Sequence, residues 1–557
     1  MDAELSSTEK LLAEAWSKQD AFDAAGETIR SASLRSIILS SQHPTGCLRL
    51  ANAFIEGRLD LSYIFTGEGP SLPAIHLELC TFDAPIDLSK SQILDVRLFR
   101  CRIPQLLASN TTIHGDLDLS GSQIGSGSGP SLRLEGIRIG GRLSMRGFGQ
   151  ERFQTIGEIR LLGAHIGGNF EAAGALLNGD GTASLSMDGA HIGGSLFFSS
   201  VGNWRFEARG SLRLLGLHVG QDLSLRGAYL HGAGEYALSS QRANIAGTIF
   251  LTGSNTMMFE AIGGLRLSNM VAGELHIEKA RLSPDGRGMT FDLSGSSITG
   301  ALNLGEILAS EGEGRPDGKF DLSGATLGSL NDSIDQSWPS KGYLQLDGLT
   351  YGSISPGENS VDGTARLVWL DLQHPAPPSP EKFKPQPYEQ LAHVLRGHGY
   401  SRAADQIAMR KRDWAIDCQT ELGLNAVLTR FMKLVAGHGY ERRRAALWTL
   451  CWWLLGMAWI YIAARTGVLG FLPDGATEAS ATVVGSLPDR STGFLLPVYA
   501  LELMMPFVEF GQTERNRMIA HNVIGDLLLI WRALYQLFGM LLVTVLGVTL
   551  TGLLRTD

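Results

Sequence analysis

A short phrase recurs along the first two thirds of the chain at a nearly constant interval. It places an apolar residue two positions before a glycine, as in "AHIGG" at 164–168 and again at 190–194. Neighbouring copies have the apolar residue at Ile113, Ile139, Ile166, Ile192, Val219, Ile245, Val271 and Ile298. A repeat of this regularity, with a period of about 26 residues, predicts a solenoid in which each unit buries its apolar side against the next unit.

The pattern inside the units is that of short β-strands. In "SLRLLGLHVGQDLSL" (211–225) apolar and polar residues alternate, which is the two-residue period of a strand. About 26 residues suit one coil of a parallel β-helix, in which equal positions of successive coils stack one strand spacing apart. We therefore predict a right-handed parallel β-helix of about a dozen coils over residues 45–371, its hand following from the general preference for right-handed crossovers.

The glycine of the phrase recurs at one position of the coil. It stands at Gly115, Gly141, Gly168, Gly194, Gly247, Gly273 and Gly300. We expect either a positive φ angle there or a close approach of the neighbouring coil, because glycine tolerates both.

Residues 1–44 are expected to form an N-terminal helical cap. Ser6 and Glu9 fit a capping box at the start of a helix, and "IRSASLRSIIL" (29–39) indicates a second helix. Such a cap would cover the unpaired strand edges that the first coil otherwise exposes.

The chain changes character after the repeats. A proline-rich linker is expected at 372–387, then a cytoplasmic helical segment at 388–444 and a membrane domain at 445–557. The stretches 445–464 and 533–554 contain no charged residue, and each is long enough to cross a bilayer as a helix. They predict a C-terminal α-helical transmembrane hairpin.

Basic residues beside these stretches indicate an orientation. Arg442, Arg443 and Arg444 immediately precede the first stretch, so the positive-inside rule places the solenoid in the cytoplasm, at the inner membrane of a bacterium. The same three arginines are candidates for contact with anionic lipid. Arg515, Arg517 and Arg532 precede the second stretch on the other side of the membrane and count against this orientation.

The composition narrows the range of partners. The formal net charge is −9, which does not favour nucleic acid. The five cysteines show no paired spacing, which indicates a reducing compartment. The first residues, "MDAELSSTEK", lack the basic head and apolar run of a signal peptide. We expect membrane lipid and either a protein partner or a second copy of the chain.

His165, His191 and His218 occupy one repeat position and are expected to form a column on the surface. Three imidazoles are a possible metal site. A column does not converge on one point, however, and we favour an exposed polar ladder.

The apolar segment 491–516, broken by Pro497 and Pro506, carries Glu502 and Glu509. Carboxylates at membrane depth often serve ion or proton movement, whereas at the interface they face water. We favour the second interpretation, with the segment re-entrant or interfacial rather than spanning.

Sequence motifs for catalysis are missing from the chain. It contains no nucleotide-binding glycine loop, no serine-hydrolase elbow, no HExxH and no CxxC. We therefore predict no catalytic residue, no cofactor and no metal site.

Three passages carry a resemblance to a known family. They are "IRSASLRSIILSS" leading into "FIEGRLDLS", the repeated "GxLxLSG" phrases, and "LLPVYALELMMPFVEFGQ" before the last hydrophobic stretch. In these the chain resembles bacterial β-helix membrane proteins with pentapeptide-like repeats, commonly labelled membrane-associated oxidoreductases. The resemblance covers most of the chain and implies a β-helix with membrane helices. Its label implies redox activity, for which the sequence offers no flavin, nicotinamide, haem or thiol site.

Three functions remain open, and we rank them by how much of the sequence each explains. The first is a membrane-anchored cytoplasmic solenoid that acts as a binding or assembly scaffold. The second is an oligomeric membrane effector or channel whose solenoid senses a signal. The weakest is an enzyme, either an oxidoreductase or one that acts on a polymer, because the acidic residues lie at different repeat positions.

Overall fold

The structure, a computed structural model, describes most of the chain. The described residues are 5–40, 45–65, 67, 69–125, 129–181, 183–254, 256–309, 312, 314–355, 361–375, 383–417, 424–474, 487–488 and 493–552. The chain divides into two compact units: Met1–Ala376 with Lys384–Ile407, and Pro377–Phe383 with Ala408–Asp557. The middle of the expected linker, residues 376–382, lies outside the described residues.

The first unit is a β-solenoid of about 12 turns built from three parallel sheets, with about 26 residues per turn. Sheet I contains Ala21–Asp23, Cys47–Ala51, Ala74–Glu78, Gln92–Ile93, Val96–Phe99, Thr112–Ile113, Leu117–Asp118, Arg138–Ile139, Leu143–Ser144, His165–Ile166, Phe170–Glu171, His191–Ile192, Leu196–Phe197, His218–Val219, Leu223–Ser224, Asn244–Thr252, Val271–Glu278, Ser297–Leu304, Thr326–Asp332 and Thr350–Ile354.

Sheet II contains Thr28–Arg30, Phe54–Glu56, Thr81–Phe82, Arg102–Ile103, Gln123–Ile124, Gln154–Ile156, Leu176–Asn178, Glu207–Arg209, Tyr229–His231, Phe259–Ile262, Ala280–Ser283 and Ile307–Leu308. Sheet III contains Leu59–Asp60, Ile86–Asp87, Leu106–Leu107, Leu132–Arg133, Ile159–Arg160, Leu185–Ser186, Leu212–Arg213, Leu238–Ser239, Leu265–Arg266, Met289–Asp292, Lys319–Asp321 and Leu344–Gln345.

In-register stacking of apolar side chains builds the core of this unit. The isoleucines of the repeated phrase pair directly, Ile139 with Ile166 and Ile166 with Ile192, and all three are almost fully buried. A second column in sheet I is equally buried and consists of Leu117, Leu143, Phe170, Leu196 and Leu223. The predicted β-solenoid with its stacked isoleucines is confirmed. The expected place of Val271 in the column is wrong: Val271 is exposed and pairs with Asn244, while the buried Ala272 pairs with Ile245 and Ile298.

The spacing of the strands along the chain is less regular than the spacing of the repeated phrase. The coil that leads from Ile93 to its partner Ile113 is clearly shorter than the next coil, which leads from Ile113 to Ile139. In sheet II the number of residues between one strand and its partner in the next coil is alternately large and small. The steps from Gln123 to Gln154 and from Leu176 to Glu207 are long, and the step from Gln154 to Leu176 between them is short.

The alternation has a simple structural origin. In one coil the extra residues lie at the corner before sheet II, and in the next coil they lie at the corner after sheet II. The length of a full coil therefore stays nearly constant while the lengths of the corners differ. From Gln123 to Glu260 the repeating unit is therefore a double coil.

Two arginines that lie one double coil apart make equivalent hydrogen bonds. Arg152 Nη2 donates to the carbonyl of Ala175 at 3.1 Å. Arg205 lies 53 positions further along the chain and donates in the same way to Ala228 at 3.2 Å. Each arginine therefore fastens its corner loop to the neighbouring coil.

The recurring glycine is required for close approach and not for a positive φ angle. A Cβ atom on Gly168 would lie 2.9 Å from the carbonyl oxygen of Gly141, and Gly168 is not among the residues with positive φ. The left-handed backbone occurs instead at another corner, for example at Gly163 with φ 62°. Of the two expectations for Gly168, close approach is confirmed and positive φ is wrong.

The helices α1 (Ser7–Ser17) and α2 (Ser31–Leu39) pack on the first strands. The capping box of Ser6 and Glu9 is present. Between the two helices, Ala21–Asp23 and Thr28–Arg30 already pair with the next coil. Residues expected to form only a helical cap thus include strands of sheets I and II.

The helices α3 (Gly363–Asp371), α4 (Gln386–Gly397) and α5 (Ser401–Asp417) follow the last strands. Two glutamines of α4 bind the carbonyls of these strands: Gln386 Nε2 donates to Leu349 at 3.0 Å, and Gln390 Nε2 donates to Tyr351 at 2.8 Å. Helix α4 therefore supplies hydrogen bonds that a further strand would otherwise make.

The second unit is helical. It contains the rest of α5 and then α6 (Leu424–Ala436), α7 (Arg442–Arg465), α8 (Leu496–Met504), α9 (Gln512–Arg515) and α10 (Val523–Thr551). A short 3-10 helix, Gly437–Gly439, precedes α7, and the strands Leu469–Pro473 and Asn516–Ala520 form an antiparallel pair. Helix α10 starts well before the uncharged stretch 533–554, because Asn522 caps it by accepting a hydrogen bond from the Gly525 N–H.

A buried ion pair near the end of the solenoid provides a first prediction. The side chains of Arg366 and Asp332 are fully buried and 2.7 Å apart. Arg366→Ala would leave the Asp332 carboxylate with its hydrogen bond from Trp338 Nε1 but without its cationic partner, which should cost about 3–5 kcal/mol. Hydrogen exchange of the strand Thr326–Asp332 in the full chain should report this loss. The exposed pair of Lys18 and Glu14, 2.6 Å apart, is the control, and Lys18→Ala should cost less than about 1 kcal/mol. Equal effects of the two substitutions would contradict the prediction.

A second prediction concerns acid and helix α1. The hydrogen bond from Arg30 lowers the pKa of the buried Glu9 to about 2. Since the folded pKa lies below the unfolded value, Glu9 stabilises α1 above about pH 4.5, and this stabilisation is lost as the pH falls toward 2. Hydrogen exchange of α1, corrected for intrinsic rates, should therefore show weakening protection between pH 5 and pH 3. In Glu9→Gln the protection should be lower at pH 7 and nearly independent of pH; an unchanged pH dependence would contradict the assignment.

Candidate functional site

The three repeat histidines form the expected column on sheet I. His165 pairs with His191 and His191 with His218, and all three are exposed. The rings of His165 and His191 are stacked with centroids 4.6 Å apart, and those of His191 and His218 are 6.1 Å apart. Partial burial, together with the neighbouring charge of His191 and Arg138, lowers the pKa of His165, so His165 is mainly neutral at pH 7.

Stacked rings are a poor metal site because their nitrogens do not converge on one point. Within the described ranges, no three His, Cys, Asp or Glu side chains are grouped so as to hold a metal ion.

Helices α7 and α10 are long and apolar enough to cross a membrane, judged by length and composition among the described residues. Their most apolar windows are only 17% and 28% buried. The exposed side chains include Leu447, Leu450, Leu454, Ile462, Ile524, Leu527, Ile530, Leu534 and Leu537. Most of the apolar surface of both helices is therefore left uncovered by the second unit.

Aromatic side chains hold α7 against α10. The rings of Trp452 and Tyr535 stack with centroids 5.4 Å apart, and Trp452 Nε1 donates to the Tyr535 carbonyl at 3.2 Å. Gly456 permits this approach, since a Cβ atom there would meet the Tyr535 hydroxyl oxygen at 2.1 Å.

The short helix α8 packs against both long helices. Trp453 Nε1 of α7 donates to the carbonyl of Pro497 at 3.0 Å, and the Tyr535 hydroxyl of α10 donates to the carbonyl of Ala500 at 3.3 Å. Gly539 of α10 lies against Met504. Within the apolar segment, residues 496–504 thus form a helix of nine residues that contacts both α7 and α10.

The two carboxylates of this segment have different surroundings. Glu502 is buried and accepts hydrogen bonds from the Gln512 N–H at 2.8 Å and from the Thr513 hydroxyl at 2.6 Å. These donors belong to the first residues of α9, so Glu502 fastens α8 to α9. Glu509 is exposed. The structure therefore gives Glu502 a structural role and does not place both glutamates in one buried site.

The three arginines at the start of α7 are all exposed. Arg444 pairs with Glu441 at 3.0 Å, while Arg442 and Arg443 form no ion pair within the described ranges. Cations at the first turn of a helix are unfavourable for its dipole, so a requirement outside the helix explains their position better than helix stability does.

A groove that the sequence analysis missed lies on the outer face of sheet I near its first strands. Its cavity volume is about 290 Å³, and it is lined by Ala21–Asp23, Arg49–Ala51, His76–Glu78 and Arg97. The register places Arg49, His76 and Arg97 directly beside one another on three neighbouring strands. A column of two arginines and a histidine therefore forms part of the groove wall.

An acidic residue positions the histidine of this column. His76 Nε2 lies 2.7 Å from Asp95 Oδ2, and Asp95 Oδ1 accepts a hydrogen bond from the Asp116 N–H at 2.7 Å. Burial raises the pKa of Asp95, but the hydrogen bonds from His76 and Asp116 outweigh it and keep the pKa below its ordinary value. Asp95 is thus a fixed anion that orients the imidazole.

The changing coil length explains why this column was missed. Arg49 and His76 are one regular repeat apart, but the step from His76 to Arg97 is markedly shorter. An alignment on the period of the later coils therefore does not bring the three residues together. The signal available in the sequence was the short interval between "AIHLE" (74–78) and "VRLF" (96–99).

Comparison with protein-family models, with curated proteins and with solved structures finds no match to this chain.

The different surroundings of the two glutamates provide a third prediction. Glu502→Ala would leave the buried Gln512 N–H and the half-buried Thr513 hydroxyl without this acceptor, and we expect a loss of about 2–4 kcal/mol in the stability of the second unit. Glu509→Ala, the matched control at an exposed position, should stay within about 0.5 kcal/mol. Thermal unfolding of the full chain in detergent, followed by near-UV circular dichroism, measures both. Equal destabilisation by the two substitutions would refute the structural role of Glu502.

Proposed function

We propose that this protein is a membrane-anchored scaffold, in which a β-solenoid presents a rigid binding surface and a helical hairpin tethers it to a bilayer. The observation that carries the proposal is the low burial of α7 and α10, at 17% and 28% of their most apolar windows. Apolar helices in a soluble core are covered by their own protein. Here the apolar surface requires another apolar environment, and a bilayer supplies it along the whole length of both helices.

Helix lengths agree with a tether of this kind. The 24 residues of α7 and the 29 of α10 correspond to about 36 and 44 Å at 1.5 Å per residue, which exceeds a hydrocarbon core of about 30 Å. In this arrangement α8, packed between them, is a re-entrant element whose polar backbone groups are covered by protein.

Helix α6 supports an interfacial position for the start of the tether. It packs on α10 through the ring contact of Phe431 with Phe538, yet Val427, Leu428 and Leu434 remain exposed. An amphipathic helix with uncovered apolar residues beside a basic cluster is suited to the boundary between headgroups and acyl chains. The arginine cluster at the start of α7 then faces anionic headgroups.

The proposed orientation places the solenoid in the cytoplasm of a bacterium. The support is the arginine cluster at the start of α7 and the positive-inside rule. We further propose that the coil is right-handed, as parallel strands with short crossovers generally are, and that α1 and α2 close its first coil.

The scaffold role rests on the regular outer faces of the solenoid. Stacked polar side chains such as the histidine ladder give a flat, repetitive surface, which solenoids commonly use to bind a protein partner or a second copy. A channel is less well supported than a scaffold, because Glu502, one of the two carboxylates that motivated it, is occupied by hydrogen bonds to α9.

A fourth prediction tests the tether and its orientation together. In bacterial spheroplasts the full chain should resist alkaline extraction from the membrane, and the solenoid should resist external protease until the membrane is permeabilised. Replacing Arg442, Arg443 and Arg444 together by Gln should expose a fraction of the solenoid to external protease, since each removed charge weakens the cytoplasmic preference. The control replaces the exposed Arg209 by Gln and should change nothing.

Each part of the proposal has a result that would contradict it. Complete release by alkali would refute the tether, and digestion of the solenoid in intact spheroplasts would refute the orientation. The scaffold itself fails if the purified chain neither self-associates in sizing by light scattering nor retains a reproducible protein partner from solubilised membranes.

A further inference from the structure

The groove on sheet I combines features of a small-molecule site. Its volume of about 290 Å³ is at the lower end of ligand pockets and suits a ligand the size of a monosaccharide or an amino acid. Ala51 lies in register between Asp23 and Glu78 on the neighbouring strands. Its short side chain leaves the hollow between these two larger neighbours.

One wall of the groove is cationic. Neighbouring strands are about 4.8 Å apart, so Arg49 and Arg97 lie about two strand spacings apart with His76 between them. Arg49 is exposed and has no carboxylate partner within the described ranges. Arg97 forms an ion pair with Asp118 at 3.6 Å, and its guanidinium lies over the Phe99 ring, 4.5 Å from the ring centroid. Arg49 therefore has N–H donors to offer a ligand, and Arg97 adds a positive charge to the same wall.

The other wall is acidic. Asp23 and Glu78 are both exposed and stand two positions further along their strands than the cationic column. Asp23 is held in place, since its carboxylate accepts hydrogen bonds from the Ala25 N–H and from Asn52 Nδ2, both at 2.8 Å. Acceptors thus face the groove on one side and donors on the other.

This arrangement selects a class of ligand. Arginine side chains bind carboxylates through paired N–H donors, and the acidic wall accepts hydrogen bonds from hydroxyl or ammonium groups. We propose that the groove binds a small carboxylate that also carries such donors, as a sugar acid or an amino acid does. Inorganic phosphate carries more negative charge than a monocarboxylate and would be repelled more strongly by Asp23 and Glu78, and a neutral sugar would leave the Arg49 guanidinium without an anion.

The site is independent of the membrane tether, because every residue that lines it belongs to the first compact unit. A chain that fails to insert into membranes would still bind the ligand. A chain that fails to bind it would still be anchored.

Isothermal titration calorimetry of the full chain in detergent tests the proposal with four probes: D-glucuronate, L-glutamate, inorganic phosphate and D-glucose. We expect one of the two carboxylates to bind at least tenfold more tightly than phosphate and glucose, and the better one identifies the ligand as a sugar acid or an amino acid. The proposal is overturned if neither carboxylate binds, or if phosphate or glucose binds as well as the better carboxylate.

Variants locate the binding in the groove. Arg49→Gln and Arg97→Gln should each weaken the better carboxylate at least tenfold, and Ala51→Leu, which fills the hollow without changing charge, should abolish binding. Arg138→Gln, an exposed arginine elsewhere on sheet I, is the matched control and should leave the affinity unchanged. Circular dichroism confirms that each variant is folded. If folded Arg49→Gln and Ala51→Leu bind like the parent chain, the ligand is bound elsewhere and the proposal is wrong.

Discussion

Main-chain hydrogen bonds between coils, held in register by inward-facing side chains, are the constraint on which the first unit depends. A shift by one residue would turn each buried leucine or isoleucine outward, and each is worth about 1.5–3 kcal/mol when fully buried. With Leu117, Leu143 and Phe170 stacked on successive coils and fully buried, a slipped register would expose a whole column at once. The outer side chains therefore stack just as regularly, and both the histidine ladder and the column of arginines and histidine in the groove result from this register.

The same constraint explains how the solenoid accommodates insertions. Residues added at a corner leave the strands in place, so loops can grow without disturbing the core. The alternation of long and short steps in sheet II distributes these loops to the two sides of the sheet in turn. Arg152 and Arg205 then bind the same backbone positions two coils apart, which shows that the corner loops are ordered parts of the repeat.

The repeat could be predicted from the sequence because apolar positions and glycines recur in a simple period. The isoleucine column, the histidine ladder and the two apolar helices all followed from patterns of this kind. The groove could not be predicted in the same way, since the steps from Arg49 to His76 and from His76 to Arg97 are unequal. The role of Glu502 was also hidden, because its donors in α9 reach it only through the turn between α8 and α9. Local periodicity does not encode such contacts.

The glutamines of α4 have a consequence for how copies of this protein can assemble. Because Gln386 and Gln390 occupy carbonyls of the last coil, an incoming molecule finds those acceptors taken and cannot extend the sheet end to end at that terminus. Filament growth by strand addition is blocked there. Two copies could pair their strands at this end only after α4 had been displaced from the last coil.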